Sequence, residues 1–206
     1  MGLTIHYSGR ITDKHKLPQL IEELEEISKV QGWDYRVFER EFPHQHSETF
    51  TLSESLTKND EDHDGKLYGI FFVPDGCDPV SITFLSNGRI SGSMQLQCWG
   101  DSTDEKERKM LYGTFTKTQY AGEEVHKRVI GIFRYLNNRF LSDLKIYDEG
   151  EYWETNDEKL LTENFRRNTD LINSFARALR ENNRLENESV DEYLERIIRE
   201  FRNKNQ

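Results

Sequence analysis

The chain has 206 residues, a length that suits one domain with or without an appendage. Leu, Ile, Val and Phe make up about a quarter of it, which supports a packed core and argues against disorder. The formal charge of −10 at pH 7 leaves no basic surplus to neutralise phosphates, so we expect no nucleic-acid partner. No apolar run approaches the roughly 18 residues of a spanning helix, so we expect no membrane partner.

The amino terminus and the cysteines both indicate a cytoplasmic location. The first residues do not combine a basic stretch with an apolar core, as a secretory signal would. The two cysteines, Cys77 and Cys98, fit neither a disulfide framework nor the spacing of a metal site. We therefore expect two reduced thiols and a cytoplasmic protein.

The first quarter of the chain predicts a strand, a helix and a second strand. Alternating apolar and polar residues over 3–11 indicate a strand, with Thr4, His6 and Ser8 on its polar face. Apolar residues at helical spacing predict an amphipathic helix from about 16 to 31. A second strand follows over 33–42.

The central portion predicts antiparallel strands. After a polar stretch at 43–66, short apolar segments at 67–73 and 80–85 are bounded by Pro and Gly, as strands often are. Asn87-Gly88 then favours a tight hairpin turn, because these residues tolerate positive φ angles. The turn leads into a further predicted strand over 90–97.

A second strand–helix–strand pattern follows a charged connection at residues 101–109. Strands are predicted over 111–119 and 144–149, and an amphipathic helix over about 123–141 lies between them. Two such units joined by antiparallel hairpins predict an α+β fold with a single mixed sheet and helices packed against it.

The end of the chain predicts a pair of helices. Asn156 or Asp157 is expected to cap a helix that reaches about residue 181, and Ser189 with Glu192 forms a capping box for the last helix. We therefore divide the chain into an α+β domain at 1–155 and C-terminal helices at 156–206. The apolar stripe of the last helix is expected to pack on the same domain or on a second subunit, which would be a protein partner or a second copy of this chain.

Two polar segments have features of metal sites, and neither is complete. Residues 60–65 match the start of a calcium loop, but Phe71 stands at the twelfth position, where a bidentate Glu is needed. His44 and His46 form an HxH pair that needs a third ligand. We expect no metal and no cofactor, and solvated polar loops account for both segments.

A candidate site follows from the second strand–helix–strand unit. If its strands are parallel, their carboxyl ends share one sheet edge, where ligands of open α/β sheets bind. Alternation places Lys117 and Gln119 on the face of Phe115, and Asp148 on the face of Leu144 and Ile146. We interpret both faces as directed to the core. The candidate binding residues are Lys117, Gln119, Tyr120, Asp148, Glu149, Tyr152, Trp153 and Glu154.

Lys117 and Asp148 are predicted to form a semi-buried pair at this edge, because an uncompensated charge in a core is costly. Tyr152 and Trp153 would form aromatic walls. The pair would then either line a binding pocket or serve only as a packing device that fixes the helix to the sheet. An open cleft beside Lys117, with Asp148 or Glu149 facing solvent, would favour an enzyme, and a sealed pair would favour a structural role.

Three segments resemble a family of uncharacterised bacterial proteins. They are the opening LTIHY at residues 3–7, KTQYA at 117–121 and DEGEYWE at 148–154. The resemblance runs from the first strand to roughly the helix after Asp157. It implies a shared fold, and it assigns no activity, cofactor or catalytic residue.

The sequence favours a non-catalytic cytoplasmic module that binds a ligand or another protein, since searches for complete catalytic motifs are negative. The alternative is an enzyme, a hydrolase or transferase of a small polar substrate. In that alternative Asp148 or Glu149 would act as the base, Lys117 would stabilise a developing anion, and Tyr152 and Trp153 would line the pocket.

Overall fold

The computed structural model describes residues 3–43 and 63–204. Its strands are β1 (Thr4–Ile11), β2 (Asp34–Val37), β3 (Tyr68–Val73), β4 (Val80–Phe84), β5 (Thr114–Lys117) and β6 (Leu141–Asp148). Its helices are α1 (Leu17–Gln31), α2 (Ser93–Trp99), α3 (Glu105–Leu111), α4 (Glu123–Arg139), α5 (Tyr152–Thr155), α6 (Glu158–Glu181) and α7 (Val190–Lys204). A short 3-10 turn at Lys14–Lys16 precedes α1.

The α+β class is confirmed, but the prediction of one mixed sheet is wrong. The described strands form two three-stranded antiparallel sheets: sheet A in the order β5-β1-β6 and sheet B in the order β2-β3-β4. Hydrophobic periodicity indicates whether a segment is a helix or a strand, but it does not indicate which strands pair with each other. The strand–helix–strand pattern is therefore compatible with one sheet or with two.

The first strand–helix–strand unit connects the two sheets. β1 lies in sheet A and β2 lies in sheet B, so α1 is not a crossover within one sheet. The buried stripe of α1, which includes Leu20, Ile21 and Leu24, packs on sheet B. The helix therefore carries the chain from one sheet to the other.

The two strands of the second unit run in the predicted direction, but they are not adjacent in the sheet. β5 and β6 are each antiparallel to β1, so they run in the same direction as each other. However, β1 lies between them. The carboxyl ends of β5 and β6 thus flank the beginning of β1.

Residues 90–97 do not form the predicted strand. Ile90 makes only an isolated bridge to Phe84, and α2 begins at Ser93. Leu96 and Trp99, three residues apart on one side of α2, pack on a small second core formed by Leu67, Leu85 and Leu111. This packing favours the helix. The predicted connection at 101–109 also contains the start of α3.

The predicted turn at residues 86–89 is present. The Leu85 nitrogen donates to the Arg89 carbonyl at 2.9 Å, and Gly88 adopts a φ of 86°. The chain then passes beside β1, where the Ile90 nitrogen donates to the Gly9 carbonyl at 2.9 Å. This return is one of the contacts that join the two sheets.

The main core lies between the sheets and the helices α1 and α4. α4 covers the inner face of sheet A, where the Phe133 ring lies 4.5 Å from the Tyr7 ring. The fully buried apolar side chains contributed by α4 are those of Val129, Ile130, Phe133 and Leu136.

The C-terminal helices start as the sequence indicates. The Asp157 side chain accepts hydrogen bonds from the first turn of α6, and Ser189 and Glu192 form the reciprocal capping box of α7. α6 contacts α4 and α5 near its start, where Leu161 and Phe165 are buried, and α7 packs on α6. The domain division at residue 155 and a contact with a second subunit stay predictions.

Two sequence features lie partly or wholly outside the described residues. His44, His46 and residues 60–62 of the calcium-like loop belong to the undescribed segment 44–62. Among the helices of the described residues, we find none with both the length and the apolar character needed to cross a bilayer.

We expect Phe133→Ala to lower the free energy of unfolding by about 3–5 kcal/mol, because it leaves a cavity under sheet A. Chemical denaturation followed by circular dichroism measures the change. Val30→Ala is the control, since Val30 is 82% exposed, and its effect should stay within about 0.5 kcal/mol. Equal losses in the two variants would contradict this assignment of the core.

Candidate functional site

The carboxylate of Asp148, at the end of β6, accepts four N–H groups. The backbone nitrogen of Gly150 donates to Oδ1 at 2.8 Å, and those of Tyr152 and Trp153 donate to Oδ2 at 2.9 and 3.0 Å. His126 Nε2 on α4 donates to Oδ2 at 3.2 Å. One side chain therefore joins β6, α4 and the beginning of α5.

The other ring nitrogen of His126 extends the cluster to β1. Nδ1 shares a hydrogen bond of 2.7 Å with Thr118 Oγ1. Thr118 in turn donates to the Leu3 carbonyl, from its backbone nitrogen at 2.9 Å and from its hydroxyl at 3.3 Å. We call Thr118, His126 and Asp148 the Asp148 cluster. It links the carboxyl ends of β5 and β6 to the beginning of β1.

The electrostatics of the cluster favour an ionised carboxylate. Burial raises the pKa of Asp148, but the hydrogen bond and charge of His126 and the backbone N–H groups of Trp153 and Gly150 outweigh it, so the net pKa is lowered. An ionised carboxylate only accepts hydrogen bonds. Nε2 of His126 therefore carries the proton that it donates.

The Asp148 cluster is closed to solvent. The side chains of His126 and Asp148 are both 0% exposed. A Cβ on Gly150 would lie 2.9 Å from both His126 Nε2 and a methyl carbon of Leu161, so no side chain fits there. The Phe165 ring meets the His126 ring edge-on at 5.7 Å. A substrate therefore has no route to the carboxylate, although the Thr–His–Asp order resembles a nucleophile with its base.

The predicted pair between Lys117 and Asp148 is wrong. Lys117 is opposite Thr4 in the register of sheet A, whereas Asp148 is opposite Ile5. Thr4 and Ile5 are adjacent on β1 and therefore point to opposite faces of the sheet. The Lys117 ammonium and the Asp148 carboxylate thus lie on different sides of sheet A. Lys117 lies over the Tyr120 ring at 5.6 Å instead.

Gln119 and Glu149 hold the beginning of β1. Gln119 Oε1 accepts from the Leu3 nitrogen at 2.9 Å, and Glu149 Oε2 accepts from the Thr4 nitrogen at 2.9 Å. Gln119 Nε2 also donates to Thr169 on α6, at 3.4 Å. Both side chains are committed to backbone partners, so neither is presented to a ligand.

The remaining candidates are divided between the core and the surface. Tyr152 is buried and Trp153 is half-buried, and the Arg134 guanidinium lies 5.3 and 5.8 Å from their rings. Tyr120 is 71% exposed, and Glu154 is exposed on α5. The two aromatic rings pack on Arg134 and form no wall beside Lys117.

Sequence reasoning missed His126, Thr118 and Asn164. His126 precedes Val129 by three residues and Ile130 by four, so it lies on the buried stripe of α4, and this spacing was the available signal. Asn164 donates to the Gly150 carbonyl at 3.1 Å. Thr118 had no comparable signal, because its partner Leu3 is far away in sequence.

The outer face of sheet A carries three aromatic rings in one row. His6 of β1 is opposite both Phe115 of β5 and Tyr147 of β6. The His6 ring lies 5.8 Å from the Phe115 ring and 5.9 Å from the Tyr147 ring. Phe115 is 40% exposed and Tyr147 is 65% exposed, so the prediction that Phe115 faces the core is wrong.

This row is the floor of a cleft beside α2 and α3. Met94 and Trp99 of α2 and Met110 of α3 line its wall. Met94 is 48% exposed and Met110 is 60% exposed. We call this concavity, about 450 Å³ in volume, the sheet-face cleft. It lies on the opposite side of sheet A from the Asp148 cluster.

Other reactive groups offer no competing site within residues 3–43 and 63–204. No group of three or more His, Cys, Asp or Glu side chains there is placed to hold a metal ion. Cys77 and Cys98 are free thiols. Burial raises the pKa of the Cys77 thiol to about 11, which disfavours the nucleophilic thiolate.

Comparison of the chain with protein-family models, with curated proteins and with solved structures gives no match. The resemblance described above therefore stays an expectation, and the geometry alone supports the functional argument.

We expect Asp148→Asn to lower the free energy of unfolding at pH 7 by about 3–5 kcal/mol, because it removes the charge that the buried N–H groups surround. Urea denaturation measures the change. Asp143→Asn on the same strand is the control, since Asp143 is exposed and Asn tolerates its positive φ of 53°.

The same pair of variants gives a pH test. The folded pKa of Asp148 lies below the unfolded value of about 3.9, so its stabilisation is complete above that pH and is lost as the pH falls through the folded pKa. The stability difference between the wild type and Asp148→Asn should therefore narrow below about pH 4. A constant difference down to pH 2 would contradict an ionised Asp148.

Proposed function

We propose that the protein is a non-catalytic binding module that holds a small molecule with a planar apolar ring in the sheet-face cleft. The row of His6, Phe115 and Tyr147 carries the proposal. Each ring comes from a different strand of one sheet, and all three residues are exposed. Aromatic faces presented in this way offer stacking partners to a flat ligand.

The shape of the cleft supports a small ligand. Its volume of about 450 Å³ falls within the ~300–1,000 Å³ typical of small-molecule sites. Met94 and Met110 are flexible and polarisable side chains that adapt to a ring and make favourable sulfur–aromatic contacts. A flat ligand on the row of rings would be covered on one side by these methionines.

The enzyme alternative has weak support. Asp148, its proposed base, is fully enclosed and accepts four N–H groups. Glu149, the other proposed base, is hydrogen-bonded to the backbone of β1. The outer-face position of Lys117 separates the proposed anion-stabilising group from Asp148. The enzyme interpretation asked for Asp148 or Glu149 to face solvent beside Lys117, and the enclosed Asp148 and the hydrogen-bonded Glu149 argue against it.

Location and partners remain part of the proposal. The two free thiols support a cytoplasmic protein. The net charge of −10 argues against nucleic acid as the ligand. A protein contact through α7 stays a prediction from its apolar stripe.

We expect the neutral probe N-phenyl-1-naphthylamine to bind saturably in the sheet-face cleft, and Phe115→Ala or Tyr147→Ala to weaken its binding about tenfold. The reason is the loss of a stacking ring, which contributes roughly 0.5–1.5 kcal/mol in addition to the area that it buries. Fluorescence titration measures the dissociation constants. Circular dichroism verifies that the variants are folded, which is expected because both rings are exposed.

Tyr120→Ala is the matched control, because Tyr120 is an exposed aromatic at the carboxyl edge and does not line the cleft. Its affinity for the probe should equal that of the wild type. If Tyr120→Ala weakens binding while the cleft variants do not, the ligand site lies at the carboxyl edge. No saturable binding of the probe would also contradict the proposal.

A further inference from the structure

The charges around the sheet-face cleft differ in sign from the protein as a whole. Asp and Glu exceed Lys and Arg by 38 to 28 in the chain. Among the residues that the structure describes, however, the charged side chains lining the cleft are Lys109 and Lys145, and no carboxylate lines it. The charged side chains that line the cleft are therefore cationic, although the protein as a whole is acidic.

The sheet register places Lys145 next to the row of rings. Lys145 is opposite Ser8, two residues from His6, and it shares the outer face of β6 with Tyr147. Same-face neighbours along a strand are roughly 7 Å apart. A ring stacked on Tyr147 would thus bring a substituent of ordinary length within reach of the lysine ammonium.

Lys145 is the cation with capacity for a ligand. Lys109 already pairs with Glu105 at 3.0 Å, and Lys117, which lies beyond Phe115, is positioned over Tyr120. Within the described part of the chain, Lys145 has no ion-pair partner and is exposed. A solvated ammonium at the edge of an apolar site selects a negatively charged group by charge complementarity.

We infer that the ligand of the sheet-face cleft is a small aromatic anion, whose ring stacks on the row of His6, Phe115 and Tyr147 and whose negative group pairs with Lys145. This inference rests on the proposed function and narrows its ligand class. Aryl sulfonates, aryl carboxylates and nucleoside monophosphates share this chemistry, and the net negative charge of the protein makes the local lysine the group that admits them.

The test compares two probes that differ by one anionic group. 8-Anilinonaphthalene-1-sulfonate has the rings of N-phenyl-1-naphthylamine together with a sulfonate. We expect the wild type to bind the sulfonate more tightly. Lys145→Met should weaken sulfonate binding about three- to tenfold and leave the neutral probe unchanged. Increasing salt should weaken the binding of the sulfonate probe only, because the pair between Lys145 and the sulfonate is exposed to screening by ions. Lys159→Met on α6 is the control and should change neither affinity.

Competition separates the chemical sources of the anion. Displacement of the sulfonate probe by AMP but not by adenosine indicates a phosphate ligand, and displacement by indole-3-acetate but not by its amide indicates a carboxylate ligand. Either result supports the inference. Displacement only by a single-stranded oligonucleotide would overturn it in favour of a macromolecule.

The two proposals fail in different ways. Suppose that Phe115→Ala weakens the binding of both probes, but neither Lys145→Met nor salt changes the affinity for the sulfonate probe. The cleft then binds aromatic rings, and the inference of an anionic ligand is wrong. If Phe115→Ala changes neither probe, the cleft is not the site and the proposed function itself is wrong.

Discussion

The buried carboxylate of Asp148 is the group on which the arrangement of sheet A depends. A buried charge is costly unless it is paired and hydrogen-bonded, and here His126 and three backbone N–H groups satisfy it. These donors belong to α4 and to the turn into α5. Through Thr118 the same cluster reaches the Leu3 carbonyl at the beginning of β1. One anion thus sets the positions of the helix, the turn and the central strand relative to each other.

The hydrogen bonds that fix the inner face of sheet A also hold the strands that carry the rings on its outer face. His6 lies between the two other rings on β1, and β1 is held at its beginning by Gln119, Glu149 and the Asp148 cluster. The three rings are therefore carried on strands whose relative positions are set by buried hydrogen bonds. A platform that is already ordered loses little conformational entropy when a ligand stacks on it. The inner network and the outer cleft are thus two sides of one rigid sheet.

Local periodicity predicted most of the elements, since the stripe of α1, the stripe of α4 and the capping box at Ser189 each depend on residues close in sequence. It did not predict that β1 lies between β5 and β6, because that pairing joins residues more than a hundred positions apart and is decided by packing. The segment after Ile90 was ambiguous for a related reason. Its apolar residues alternate as in a strand, but the spacing of Leu96 and Trp99 also fits one side of a helix, and the second core favours the helix.

The candidate site was assigned to the wrong face of β5 because the residues there reverse the usual pattern. β5 buries Thr116 and exposes Phe115, so an apolar side chain faces solvent and a polar one faces the core. Alternation determines which residues share a face, but the assignment of that face to the core assumed that apolar means buried. Both residues have partners that explain the reversal. The buried Thr116 donates to the Asp78 carbonyl at 2.8 Å, and the exposed Phe115 contributes to the row of rings. Local rules of this kind often fail at functional surfaces, and this reversal therefore supports the sheet-face cleft as the proposed ligand site.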